Sequence, residues 1–447
     1  MKTCYIKEYI SREPVRYLFD VYSIGFVFKF SKQISITPKL KYCLNNIIYK
    51  KKMNTINTTA DGLHKIVFGP LFLSEYTVNP TEATLSIVIN NKSKKKIFKK
   101  KITLLKYSDF SLKTCYSNVA TNINFAVSSC WALNVRNAST LTKTDKRTLQ
   151  KFNDTCKEVK PLMIISSGDI VYPETLQTLS SYGIQSIYDE LINLKESESL
   201  WDNYTWVCSN DDHELSANDG MTDSSNIKLL TQKLDDNFPI GEYIHDPNDN
   251  FRATFFTIKD INFITLDTVS ARTLNIASTN SGDIYSTTLG EKQILYLKNV
   301  FSNIYTLSGD NSLIFIVVGK SMFGSQSGNT FMNCLSERQK IFDLIKSFKF
   351  KNVCFIVGDS HFSDFTEYQL DTENNIKIRE IRNSSVTSLP RNPTSSDNPN
   401  RFINSFSGGV NNFGMVNVNG LTNAYNVTYT NYTLNGVQFT YTWNMSY

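Results

Sequence analysis

The chain reads as an α/β protein preceded by an antiparallel β module, and three observations carry that reading. From residue 119 onward, short apolar runs alternate with segments of helical periodicity, the pattern of strands covered by helices. Before that point, runs rich in β-branched and aromatic residues are divided by turn residues, with almost no helical period. Polar and charged clusters also follow directly on the apolar runs, and open α/β sheets bind ligands at the C-terminal ends of their strands. The expected division is a β-rich accessory module over residues 1–118 and a main domain over 119–447 that includes C-terminal strands.

In the first module, residues 66–71, 83–89 and 101–107 read as strands. In the main domain, 122–127 leads to Ser128-Ser129-Cys130 and 162–167 leads to Gly168-Asp169-Ile170-Val171-Tyr172. A short strand at 204–208 leads to Asn210-Asp211-Asp212-His213-Glu214, with Asn218-Asp219-Gly220 just beyond. Residues 251–258 and 261–266 form an expected hairpin that ends at Asp267. The spacing of Leu289, Ile294, Leu297 and Phe301 predicts an amphipathic helix. Residues 313–318 lead to Gly319-Lys320, and 353–357 lead to Gly358-Asp359-Ser360-His361. After a strand at 376–381, residues 382–399 are rich in Asn, Ser and Pro and are expected to loop over the surface. The alternation through 413–443 predicts closing antiparallel strands.

At 447 residues the chain is long enough for a large core. Aromatic residues at 13% and charged residues at 20% exclude a disordered chain. The net charge of +6 owes much to lysines at 50–52 and 94–101. A solvated hairpin is the first reading of the second run, and a polyanion patch the second. No stretch approaches the about 18 apolar residues needed to cross a bilayer, and the N-terminus has no signal-peptide pattern, so the default expectation is a cytoplasmic protein. Eight irregularly spaced cysteines suggest no disulfide framework.

Only four histidines occur, and two of them, His213 and His361, stand beside aspartates at strand exits. Carboxylates with imidazole suit a divalent or trivalent cation. Two cations about 3.5–4 Å apart can share one carboxylate and hold both oxygens of an in-line phosphoryl displacement, and they lower the pKa of bound water to about 7. Asp169 suits the shared position. His213, next to the ligand candidate Asp212, suits protonation of a leaving alkoxide.

These residues resemble the PhoD-type alkaline phosphatases and phosphodiesterases of the calcineurin-like metallophosphoesterase superfamily. The resemblance runs in order through Ser129-Cys130, Gly168-Asp169 with Tyr172, Asp211-Asp212-His213-Glu214 with Asn218-Asp219-Gly220, Leu266-Asp267-Thr268, Leu289-Gly290 with Gln293, and Gly358-Asp359 with His361. Gly69-Pro70-Leu71 and Asn412-Phe413-Gly414 are similar too, so the match spans roughly residues 66–440. It implies a four-layer α/β/β/α sandwich with an N-terminal antiparallel β module. It further implies Cys130, Asp169, Tyr172 and His361 around an iron (Fe3+) site, with Asp212 and Asp359 on a calcium (Ca2+) site and Asp169 shared. Zn2+ or Mn2+ are the alternative metals. Asn218 is the implied substrate-binding residue of its motif. Two positions depart from the pattern: Val269 stands where an arginine usually follows Leu-Asp-Thr, and Asn210 where an aromatic residue is common. Arg272 is then the candidate contact for substrate phosphate.

The expectation is a metal-dependent hydrolase of phosphoric esters that uses a metal-bound hydroxide. Its rivals are an inactive binding or structural protein on the same scaffold and a nucleic-acid phosphodiesterase, which the lysine runs permit.

Overall fold

The computed structural model of the chain describes residues 15–20, 23–44, 47–59, 62–68, 81–90, 95–104, 122–131, 143–173, 180–215, 227–239, 251–258, 261–274, 285–324, 330–388, 390–392, 401–407, 409–421 and 424–446. Two large sheets stack face to face. The nine-stranded sheet has a parallel centre, Asn122–Ser128, Met163–Ser166, Thr205–Cys208 and Val15–Asp20. The antiparallel strands Asn412–Leu421, Ala424–Thr433 and Gly436–Ser446 extend it on one side, and Ser23–Lys29 and Leu63–Phe68 on the other. Strands from both sides of residue 118 therefore share this sheet.

The seven-stranded sheet is built on the parallel run Ile261–Thr265, Leu313–Val317, Asn352–Val357 and Ile376–Arg382. Thr254–Ile258, Ser363–Asp371 and Arg401–Ser407 pair antiparallel at its flanks. A strand exposes successive side chains on opposite faces, and the apolar runs use both. Phe125, Ile165 and Val207 meet Phe263, Phe315 and Ile356 between the sheets. Their neighbours Ala126, Ile164 and Trp206 face outward, against helices Lys143–Val159, Ser181–Ile192 and Ile227–Asn237. Ile264, Ile316 and Phe355 likewise face helices Gly290–Ser308 and Leu335–Ser347. The result is the four-layer α/β/β/α sandwich.

A separate antiparallel sheet joins Ile47–Lys52, Ser35–Leu44, Thr81–Asn90 and Lys95–Leu104 in that order, with Ile56–Asn57 on Ser35–Leu44. Its last strand starts inside the lysine run, several residues before the 101–107 expected from sequence. The surface loop expected at 382–399 is corrected more strongly. Residues 383–388 run through the interior, from Asn383 to Ser388 at 3% exposure or less. Burial is tolerated because the backbone is satisfied. Val386 N–H donates to Ser129 O at 3.1 Å, Ser388 N–H to Cys130 O at 3.1 Å, and Asn412 Nδ2 to Ser384 O at 2.7 Å. Gly69-Pro70-Leu71 lies outside the described residues.

Candidate metal centre

Cys130, Asp169, Asp212, Asp359 and His361 stand within four residues of the end of a parallel strand. Cys130, Asp169, Asp359 and His361 all adopt positive φ, between 56° and 61°. Such conformations are uncommon outside glycine, least so for Asp and His, and surrounding structure must hold them. Gly168, at φ 105°, begins the Asp169 turn, and a Cβ there would come within 2.6 Å of Asp211 Cβ. A Cβ on Gly319 would meet Asp211 Cγ at 2.3 Å, and one on Gly358 would meet Ser129 Oγ at 2.7 Å. These glycines let three strand exits close on one point.

Glu214 braces that point. Its carboxylate accepts Asp169 N–H at 2.8 Å, Asp211 N–H at 3.0 Å, Val171 N–H at 3.3 Å and also Ile170 N–H. Burial lifts its pKa to about 7, against the pull of those donors. Sequence reasoning included Glu214 in its motif without assigning it work; a Glu three residues after Asp211, at the start of a short helix, was the available signal. Ser384 was missed altogether. Its hydroxyl donates to Cys130 Sγ at 2.8 Å and accepts His361 N–H at 3.0 Å. No local pattern marks it, because its place is set by a buried loop.

Three overlapping groups of donor atoms result, each with all its atoms within 4.8 Å of one another: Cys130, Asp169 and His361; Asp169, Asp212 and His213; and Asp169, Asp211, Asp212 and Asp359. Asp169 belongs to all three. Cys130 Sγ lies 3.3 Å from Asp169 Oδ2. Tyr172 sits with its ring centroid 3.9 Å from that of His213. Asp359 and His361 are half-buried, while Cys130, Asp169, Asp211, Asp212 and His213 are buried.

The donor set fits a cation. Asp169 and Asp211 carry buried carboxylate oxygens, Oδ1 and Oδ2 respectively, with no protein partner among the described residues. Burial drives the Asp169 carboxyl well above its ordinary range, and Cys130, Asp212 and Asp211 push it further. Asp211 is raised in the same way, by burial and then by Asp212 and Asp359. Burial likewise lifts the Cys130 thiol to about 12. Such repulsion among buried acids is relieved by a multivalent cation.

The other motif residues brace the site. Gln293 accepts Asp267 N–H at 2.6 Å and donates to Asp267 O at 2.8 Å. Asp267 in turn accepts the N–H groups of Val269 and Ser270, each at 2.9 Å. Thr268 Oγ1 donates to Asp211 Oδ1 at 3.3 Å. Val269, the position where an arginine was expected, is fully buried in the outer core of the nine-stranded sheet. Arg272 is also fully buried, and its charge lowers the pKa of Asp211. Asn218 lies outside the described residues.

No protein-family model and no curated protein matches the chain. Solved structures do. PhoD matches over 96% of this chain and 92% of its own, at 13% identity and a TM-score of 0.67. Purple acid phosphatase PPD1 from yellow lupin (Lupinus luteus) seeds matches over 96% of this chain and 73% of its own, at 11% identity and a TM-score of 0.62. The chain shares the fold of these two solved structures. Among the described residues, no helix is long and apolar enough to cross a membrane.

Proposed function

We propose that the chain is a metal-dependent phosphoric ester hydrolase, PhoD-like in its ligand set. One observation carries the reading: three donor groups overlap on the single carboxylate of Asp169, the arrangement a shared ligand between neighbouring cations requires. Cys130, Tyr172 and His361 would complete a site for iron, since thiolate, phenolate and imidazole suit it, whereas the carboxylates of Asp212 and Asp359 suit calcium. Asp211 is a further carboxylate of the cluster. When bound, the cations would supply Lewis acidity and an acidified water.

The chain's own residues do the rest. Buried walls around Asp169 and Asp211 exclude bulk water and strengthen each electrostatic contact. His213 holds a proton beside Asp212 and delivers it to the leaving alkoxide. Arg272, with its charge felt at Asp211, contributes positive potential for the substrate phosphate.

Metal analysis of protein purified without chelator, paired with hydrolysis of a phosphate monoester and a diester, tests this. Iron with calcium and turnover of either ester is expected. Zinc or manganese would keep the hydrolase and remove the iron–calcium assignment. Absence of metal after reconstitution, with no turnover, would sink the proposal in favour of an inactive scaffold.

A further inference from the structure

The separate antiparallel sheet carries an unusual distribution of charge. Its strands Ser35–Leu44, Ile47–Lys52, Thr81–Asn90 and Lys95–Leu104 contain lysines at 39, 41, 50–52, 95–96 and 99–101, against one carboxylate residue, Glu82. The register arranges them in lines. Lys52 pairs with Lys39, Lys39 with Ser86, and Ser86 with Lys99. Two residues along, Lys50 pairs with Lys41, Lys41 with Thr84, and Thr84 with Lys101. Paired residues share a face, as do residues two apart, so Lys39, Lys41, Lys50, Lys52 and Ser86 stand on one side of the sheet. Leu40 and Leu85, on the opposite side, are fully buried. Lys39, Lys41, Lys50 and Lys52 are exposed, and among the described residues none of these four is in an ion pair.

We propose that this face binds the phosphate backbone of a nucleic-acid duplex without reading its bases. Strands lie about 4.8 Å apart and residues i and i+2 about 7 Å apart, so the four exposed lysines form two parallel pairs of cations suited to the phosphates of a linear polyanion. Ser86 follows Lys39 across the sheet, and hydroxyls and lysines are the usual partners of phosphate oxygens. Among the described residues, no aromatic side chain on this face is exposed to stack on an unpaired base. Among the described residues, the exposed large apolar side chains are Tyr182, Leu295, Tyr305, Leu307, Tyr368, Val410 and Val437, none of them in this sheet.

Binding of a labelled mixed-sequence DNA duplex to the full chain, measured by anisotropy across a salt series, tests this. Four phosphate-neutralising lysines give a log–log salt slope of about −3.6, or about a hundredfold loss between 50 and 200 mM salt. Lys39→Gln/Lys41→Gln should flatten the slope by about 2, with an unchanged circular dichroism spectrum. No duplex binding at low salt would overturn the proposal, as would an unaltered slope in that variant. Lysine-dependent binding to phosphatidylserine vesicles without duplex binding would overturn it too, in favour of a membrane surface. The readout is binding, so it stands apart from whether the metal cluster hydrolyses esters.

Discussion

The carboxylate of Glu214 accepts the backbone N–H of Asp169 at 2.8 Å, so one acid fixes the turn that aims another. The same carboxylate takes three further N–H groups, from Ile170, Val171 and Asp211. A carboxamide presents one accepting oxygen where these donors need two. Glu214→Gln should therefore lower stability by about 1–3 kcal/mol, the range for a buried donor left unsatisfied. It should also lower metal content, although Glu214 belongs to none of the three donor groups around Asp169. Unchanged metal stoichiometry and melting temperature would remove the bracing role.

His213 stands within reach of both Asp169 and Asp212, so it could ligate a cation or move a proton. His213→Asn separates the two. If it serves as a general acid, turnover falls about 10²–10⁴-fold with metal content preserved, and an ester with an acidic leaving group loses least. Loss of one metal equivalent would instead make His213 a ligand. Parallel kinetics and metal analysis decide.

Gly319 is the tightest of the three close approaches. Its added Cβ would lie 2.3 Å from Asp211 Cγ and 2.5 Å from Oδ2. Gly319→Ala should cost about 1–3 kcal/mol, as for overpacking elsewhere, and displace Asp211. The melting temperature should drop, with a smaller rise on adding metal than the wild type shows. An equal rise in both proteins would exclude Asp211 from the cation site.

Gln293 gives a purely supporting test. Its side chain closes a reciprocal pair of hydrogen bonds on the Asp267 backbone. Gln293→Ala leaves both groups unpaired in the core and should destabilise by about 1–3 kcal/mol. Metal content at low temperature should stay intact, since Gln293 touches no donor atom. Thermal unfolding with metal analysis at 10 °C checks both halves.

Chelation provides the complement. Removing a ligand held at 100 times its Kd lowers stability by about 2.7 kcal/mol, so EDTA should depress the melting temperature by several degrees. Asp169→Asn should abolish that response. An Asp169→Asn protein that still responds fully to EDTA would deny Asp169 its central place.

The sequence made the strand exits legible because an apolar run ending in a cluster of acids is a local signal: Asp169 and Asp359 follow such runs as Gly-Asp, and the Asp211–Glu214 cluster follows one through Ser209-Asn210. The parallel placement of Val15–Asp20 beside Thr205–Cys208 was not legible, since register between distant strands leaves no mark in either. Ser384 and the buried course of 383–388 were hidden for a related reason. A polar, Ser-rich segment reads as surface unless its hydrogen-bond partners, here Ser129, Cys130 and Asn412, are known. Arg272 stood out only as a nearby cation, and its complete burial comes from tertiary packing alone.

The strand Asn122–Ser128, which leads to Cys130, has Asn412–Leu421 as its antiparallel neighbour, and Asn417 bonds Asn122 from 295 residues away. During synthesis the metal-site side of the sheet thus waits, with one edge open, until the ribosome has delivered residues beyond 421. Closure over so long a separation is slow, and an unpaired edge is sticky. The nascent chain therefore passes through a stage in which several carboxylate-bearing loops are already made but not yet clamped together. Cation binding at the Asp169 cluster is therefore expected to follow the pairing of Asn412–Leu421 with Asn122–Ser128.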